Sequence, residues 1–185
     1  MAHLFTADLH FGHRRIIDFC HRPFASAAEM DSQILTRMQT AMSSEDDLWV
    51  VGDFAFGGSD QARKLEAYLA SIPGRKHLVR GNHDKSWMTK LAGWTSVHDL
   101  VELVIEETRL TLCHYPMITF PGARHGALQL FGHVHDNWRG SRNSVNVGVD
   151  VWDFRPVGLA EIKRRAATLP VNPFWSEVEP RSILQ

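Results

Sequence analysis

The chain has 185 residues, 44% hydrophobic and 22% charged, with 20 basic against 21 acidic side chains and a formal net charge of −1. This length fits one domain with a proper core, and the near-neutral balance gives no electrostatic basis for a long nucleic-acid track or a membrane surface. No apolar run approaches the roughly 20 residues that cross a bilayer, the N-terminus lacks a signal-peptide pattern, and Cys20 and Cys113 read as reduced, buried thiols; a cytoplasmic protein is expected.

In chain order, residues 3–7 read as a first strand and 11–15 as a loop. Ser26 and Glu29 have capping-box spacing and open a helix to about residue 42, with Met30, Ile34, Leu35, Met38 and Met42 on one face. Residues 47–51 read as a strand. Ser59 is a candidate cap for a helix running to about residue 71, stopped by Pro73-Gly74. Residues 76–79 read as a strand and 86–91 as a short helix. After about residue 96 the pattern turns to β, with strands around Val97 and at 101–105, 110–113, 128–131 and 145–149. The Glu106-Glu107-Thr108-Arg109 break reads as a hairpin turn. A helix at about 158–167 precedes a Pro-containing tail. The sum is α/β, with two sheets packed face to face and flanked by helices, as one domain over 1–168 and a C-terminal extended arm over 169–185.

Five short segments follow such apolar runs: Asp8-Leu9-His10, Gly52-Asp53, Gly81-Asn82-His83-Asp84, His114 and Gly132-His133-Val134-His135. Asp8 and His10 are two apart, and in an extended segment they point the same way. Asp53 ends a strand after a glycine, and its two oxygens could bridge two cations; a plain turn is the alternative. Asn82 offers a neutral carbonyl oxygen. His83 is placed as a general acid, with Asp84 expected to orient its ring. His133 and His135 form a His-x-His pair, and His114 reads either as a ligand or as a core histidine. Together these donors suffice for two divalent metal ions. Mixed N/O ligation without thiolate suits Mn²⁺ first, with Fe, Zn²⁺, Ni²⁺ or Co²⁺ as alternatives. Two ions roughly 3.5–4 Å apart polarise a phosphoryl oxygen and hold a hydroxide for in-line attack.

With these blocks in this order, the chain resembles the calcineurin-like metallophosphoesterase family, whose pattern is D-x-H, G-D, G-N-H-[DE], H and G-H-x-H. The resemblance implies a two-sheet sandwich flanked by helices. It further implies one metal on Asp8, His10, Asp53 and His135, and a second on Asp53, Asn82, His114 and His133. His83 would bind or protonate the phosphate side, with Asp84 supporting it. The wording Phe5-Thr6-Ala7-Asp8-Leu9-His10-Phe11-Gly12-His13, with Asn146-Val147-Gly148-Val149-Asp150, is similar to a branch of small bacterial or phage phosphoesterases. After Gly52-Asp53 the chain reads Phe54-Ala55-Phe56 and lacks the G-D-x-V-D-R-G form of protein phosphatases.

The expected function is metal-dependent hydrolysis of a small phosphoester, monoester or diester. The alternatives are a non-catalytic interaction scaffold on the same fold, or a short-oligonucleotide or cyclic-nucleotide phosphodiesterase. Of the remaining histidines, His13 follows the first motif and is a candidate to line the pocket; His3, His21, His77, His98 and His125 read as exposed or locally hydrogen-bonded. Arg14, Arg15, Arg80, Arg139 and Arg142 read either as phosphate contacts or as solvated charges. Phe54, Phe56, Trp138 and Trp152 read either as an aromatic rim or as packing.

Overall fold

The computed structural model describes residues 1–180. Strand β1 (His3–Thr6) leads to a short helix α1 (Arg14–Phe19) and a longer one, α2 (Ala27–Ala41). Then come β2 (Asp47–Val51), α3 (Ala62–Ser71), β3 (Arg75–Val79) and β4 (Ser96–His98). The second half is β5 (Val101–Ile105), β6 (Thr108–Leu112), β7 (Leu128–Phe131), β8 (Gly140–Ser141) and β9 (Ser144–Asn146). It closes with β10 (Val157–Gly158), α4 (Leu159–Thr168) and α5 (Trp175–Val178).

Two five-stranded sheets result, in the orders β10-β1-β2-β3-β4 and β5-β6-β7-β9-β8. In the first, β1 to β4 run parallel and β10 returns antiparallel. In the second, β6, β7 and β9 are parallel, with β5 and β8 antiparallel at the edges. Alternating side chains of a strand point to opposite faces, and the first sheet is apolar on both. Leu4, Leu48, Val50 and Leu78 pack with Met30, Ile34 and Met38 of α2 and Leu65 and Leu69 of α3. Phe5, Trp49, Val51 and Val79 turn the other way, against Leu110, Leu112, Leu128, Leu130 and Val145 of the second sheet. This is the expected α/β sandwich flanked by helices, and double burial explains why all five residues of β2 are buried.

Several elements differ from the sequence reading. Arg14 and Arg15, read as the end of a loop, instead open the helix Arg14–Phe19; six residues are too few to show helical periodicity, and Ile16 and Ile17 secure the turn by burial. Ser59 starts a single 3₁₀ turn, Ser59–Gln61, and caps nothing with its side chain. Residues 86–91 hold only a 3₁₀ turn, Met88–Lys90. The strand around Val97 joins the first sheet, parallel to β3. Ser26 does cap α2, accepting from the Glu29 amide at 3.1 Å. The hairpin closes through Glu106 and Glu107, both at positive φ (47° and 61°), as a primed two-residue turn requires. Cys20 and Cys113 are free but only half-buried. The tail is not merely an extended arm: α5 docks through Trp175, 1% exposed, against Phe120, Ala123 and Ala127. Residues 181–185 of that arm lie outside the described residues.

Candidate metal centre

Every candidate segment sits at the carboxyl end of a parallel strand, the rim where sheets of this kind present ligand-binding loops. Asp8 follows β1, Asp53 follows β2, Asn82 and His83 follow β3, His114 follows β6, and His133 and His135 follow β7. The loops are stitched together by backbone bonds, the Asp8 amide to the Gly52 carbonyl, the His10 amide to the Asp53 carbonyl and the Gly132 amide to the His114 carbonyl, each 3.0 Å. Asp8, His10, Asp53, His133 and His135 all hold positive φ, between 50° and 72°. Left-handed backbone in non-glycine residues is strained, and strain of this kind clusters at functional sites. The sequence reading placed Asp8 and His10 side by side through an extended strand; they converge instead through these two left-handed turns.

The donors meet around Asp53. Its Oδ2 lies 3.5 Å from His10 Nε2, 3.4 Å from His114 Nε2 and 4.0 Å from His83 Nε2. Ligand atoms of Asp8, His10 and His135 fall within 4.8 Å of one another, as do those of Asp8, Asp53 and His114. Asn82 Oδ1 lies 3.1 Å from His114 Nε2 and 2.9 Å from His133 Nδ1. The glycines before these residues answer to close approach. A Cβ on Gly81 would stand 2.3 Å from Asp53 Oδ1, and one on Gly132 2.7 Å from Asp8 Oδ2.

Asp84 departs from its expected role. Its carboxylate accepts the amides of Asp53 and Gly81 (both 2.8 Å) and of Phe54 (2.9 Å). It ties the second and third loops together by their backbones and does not orient the His83 ring. The His83 amide in turn donates to Asp53 Oδ1 at 2.9 Å. Arg22, Asp150 and Asn146 had been given no role. Asp150 Oδ2 lies 2.8 Å from His135 Nδ1, while Arg22 holds both Asp150 oxygens (2.7 and 2.8 Å) and the carbonyls of Asp8 and Leu9. A carboxylate behind a histidine orients ligands in this way at metal sites. Asn146 donates to the carbonyls of His135 and Trp138. The Asn146-Val147-Gly148-Val149-Asp150 wording was the available signal, but the partners are 15 and 128 residues from Asp150.

Two of the arginines singled out are engaged away from the centre. Arg14 pairs with Asp18 and Arg80 with Asp99 at the surface. Phe54 and Trp152 are buried packing residues. His77 is locally hydrogen-bonded, to Asp47 and Ser96.

Burial and mutual charge set the ionisation of the cluster. Desolvation pushes Asp8 up to about 6, against the pull of His135 and His114. Burial works the same way on Asp53, but His114 and His10 outweigh it and hold that carboxyl at about 2. Burial takes His10 well below the ordinary imidazole value despite Asp53. At His135 burial is overcome, chiefly by the bond to Asp150, and its value rises to about 10. His10 carries two buried ring nitrogens without a hydrogen-bond partner. Orphaned, neutral imidazole nitrogens beside a carboxylate held ionised are what a divalent cation requires. The donors around Asp8, Asp53 and Asn82 are nitrogen and oxygen, with Cys20 in a further group beside His135 and Asp150, and this set fits a metal site.

The comparisons agree. Residues 1–120 match the family of calcineurin-like phosphoesterases. The uncharacterized protein MJ1445 of Methanocaldococcus jannaschii is 27% identical over 160 residues, covering 83% of this chain and 84% of its own. The gene 66 protein of Mycobacterium phage L5 is 26% identical over 180 residues, covering 80% and 86%. Among solved structures, the Aquifex aeolicus protein of unknown function AQ665 superposes with a TM-score of 0.72 at 26% identity, covering 89% of this chain and 98% of its own. A strand-end centre of aspartates and histidines, on a two-sheet sandwich whose first 120 residues match that family, places this chain in the calcineurin-like phosphoesterase family.

Proposed function

We propose that the protein hydrolyses a small phosphoester at a centre of two divalent ions. The carrying observation is Asp53, whose single Oδ2 lies 3.5 Å from His10 Nε2 and 3.4 Å from His114 Nε2 and so reaches both donor groups. Asp8, His10, Asp53 and His135 would hold one ion; Asp53, Asn82, His114 and His133 would hold the other. Bound there, the ions supply charge for the phosphoryl oxygens and an activated water for attack. Mn²⁺ is our first choice for this donor set, with Fe, Zn²⁺, Ni²⁺ and Co²⁺ as alternatives.

The chain's own part is positioning and proton transfer. The His83 side chain is 37% exposed, beside His10 at 5.2 Å between ring centroids, on the solvent side of the cluster. From there it would donate a proton to the leaving oxygen. Asp84 serves it indirectly, through the amides that it gathers. Arg22 and Asp150 hold His135 in one orientation. The near-neutral charge favours a small or accessible ester over a long nucleic-acid strand. Two free thiols suit the reducing cytoplasm, and among the described residues no helix is long and apolar enough to cross a membrane.

The test is paired hydrolysis of p-nitrophenyl phosphate and bis-p-nitrophenyl phosphate across Mn²⁺, Ni²⁺, Zn²⁺ and Mg²⁺, for the wild type and Asp53→Asn. Metal-dependent cleavage that is lost in the variant, together with more metal than any other ligand change removes, is the expected result. No cleavage with any metal at confirmed occupancy would refute the reading. His83→Ala should keep its metal and slow turnover, most for poor leaving groups; metal loss in that variant would make His83 a ligand instead.

A further inference from the structure

Four aromatic side chains neighbour the motifs, and the structure sorts them. Phe54 is fully buried, edge-on to Phe11 and Trp94, and Trp152 is buried with its indole nitrogen on the Asn146 carbonyl. Trp138 stacks on Phe131. Phe56 is 40% exposed, and of the four it alone is in ring contact with histidines of the site. It lies flat on His13, with centroids 3.9 Å apart and planes 10° from parallel, and 5.7 Å from the His83 ring.

This stack is held rigidly. The loops after β1 and β2 run side by side, with the Phe11 amide on the Phe54 carbonyl (3.1 Å) and the Phe56 amide on the Phe11 carbonyl (3.0 Å). Gly12, at φ 79°, turns the chain between Phe11 and His13, and its amide is held by Asp31 at 2.9 Å. Lys85 anchors the far side through the Gly57 carbonyl at 3.1 Å. A fixed aromatic surface loses little entropy when a ligand binds to it.

His13 forms the buried back of the stack. The residue is 8% exposed, yet its Nδ1 is buried with no hydrogen-bond partner. Its ring lies 5.3 Å from His10 and 6.3 Å from His83, so the nitrogen belongs to the same cluster. A phenyl ring would stack on Phe56 equally well without leaving a buried polar atom unsatisfied. That nitrogen has no accessible surface, so His13 serves a ligand only through the fixed position that it gives Phe56.

We propose that the His13–Phe56 stack is a subsite for a flat ring carried by the phosphoester, which makes aryl or nucleoside phosphoesters the substrate class. Phe56 offers the stacking surface beside His83. His13 backs Phe56 and fixes its plane. This rests on the phosphoesterase reading of the adjacent centre, and a non-hydrolysable probe separates the two.

The experiment is calorimetric titration of the full-length, Mn²⁺-loaded protein with phenylphosphonate and with methylphosphonate. The wild type should bind the phenyl compound about tenfold more tightly, the scale of one aromatic stack. Phe56→Ala and Phe56→Leu should abolish that preference while retaining metal content and fold by circular dichroism. His13→Phe, which keeps a flat ring behind Phe56, should keep the preference, and His13→Ala should reduce it. Equal affinity for the two phosphonates, binding of neither, a preference that survives in both Phe56 variants, or a preference lost in His13→Phe would each overturn the subsite. A phenyl preference in a protein that cleaves no ester would sustain the subsite and refute the phosphoesterase reading; cleavage without a preference would refute the subsite alone.

Discussion

At the scale of single residues, orientation of the centre depends on a carboxylate outside the ligand set. Asp150 stands between Arg22, whose side chain is wholly buried, and His135 Nδ1. Its pKa is set by burial, which raises it, and by His135 and Arg22, which together prevail and lower it. The Asp150 carboxylate is therefore held ionised and accepts from His135 Nδ1; a metal that displaced the Nε2 proton would find the ring already oriented by that bond. Asp150→Ala should weaken metal affinity by about 10- to 100-fold, read by competition with a chromophoric chelator, while leaving Asp53, Asn82, His114 and His133 in place. Unchanged affinity would reduce Asp150 to a structural anchor for its loop. Asp53 and Asp84 differ for the same kind of reason: Asp53 faces three imidazoles, whereas Asp84 faces backbone amides. Adjacent motif letters in the sequence could not separate those roles, because the difference lies in what each carboxylate meets in space.

At the scale of elements, the ends of the strands opposite the centre are locked by their own ion pairs. Asp47 opens β2 and Arg75 opens β3, directly paired in register. Arg75 reaches both Asp47 oxygens at 2.7 Å, and His77 Nε2 lies 3.0 Å away. These contacts, Arg75 first, hold the Asp47 carboxyl at about 2 against an ordinary 3.8. A carboxyl whose folded value is depressed contributes stability that is complete above its unfolded value and is lost as pH falls through the folded one. Asp47→Asn should therefore lower Tm at pH 7, and the gap from wild type should narrow between about pH 4 and pH 2. Thermal melts across that range check it; a constant gap would mean that the pair contributes through packing alone. This element-level register was legible in part. The strand positions followed from apolar runs, but the pairing of residue 47 with residue 75 depends on how α3 returns the chain.

At the scale of the whole molecule, two sheets share one interior; α2 and α3 cover the outer face of the first, and α4 packs Leu159, Ile162 and Ala166 into the shared cluster. The outer side of the second sheet is served by the 115–127 segment and by α5. Gln129 on β7 donates to the Tyr115 carbonyl and accepts from the Met117 amide, and Trp175 fills the space among Phe120, Ala123 and Ala127. Large-to-small changes at such a site cost about 3–5 kcal/mol. Trp175→Ala should thus lower Tm by at least about 6 °C, with metal content retained at 20 °C, since α5 touches no rim residue of the centre through its core cluster. A Tm within 1–2 °C of wild type would show that the C-terminal helix is dispensable for folding.

By itself the sequence determined the class of fold and the chemical inventory of the centre. Apolar runs of strand length mark buried strands wherever they occur, and a metal site can be built only from residues that carry donor atoms. Asp8, His10, Asp53, Asn82, His83, His114, His133 and His135 were legible for that reason, and the structure brings all eight to one rim. Tertiary structure alone decided what each donor faces: that Asp84 caps amides, that Arg22 and Asp150 stand behind His135, and that Phe56, not Phe54, lies open beside His13. The physical reason is range. Composition and periodicity report on neighbours within a few residues, whereas the fields and contacts that set a side chain's role come from segments as far apart as Arg22 and Asp150, 128 residues along the chain.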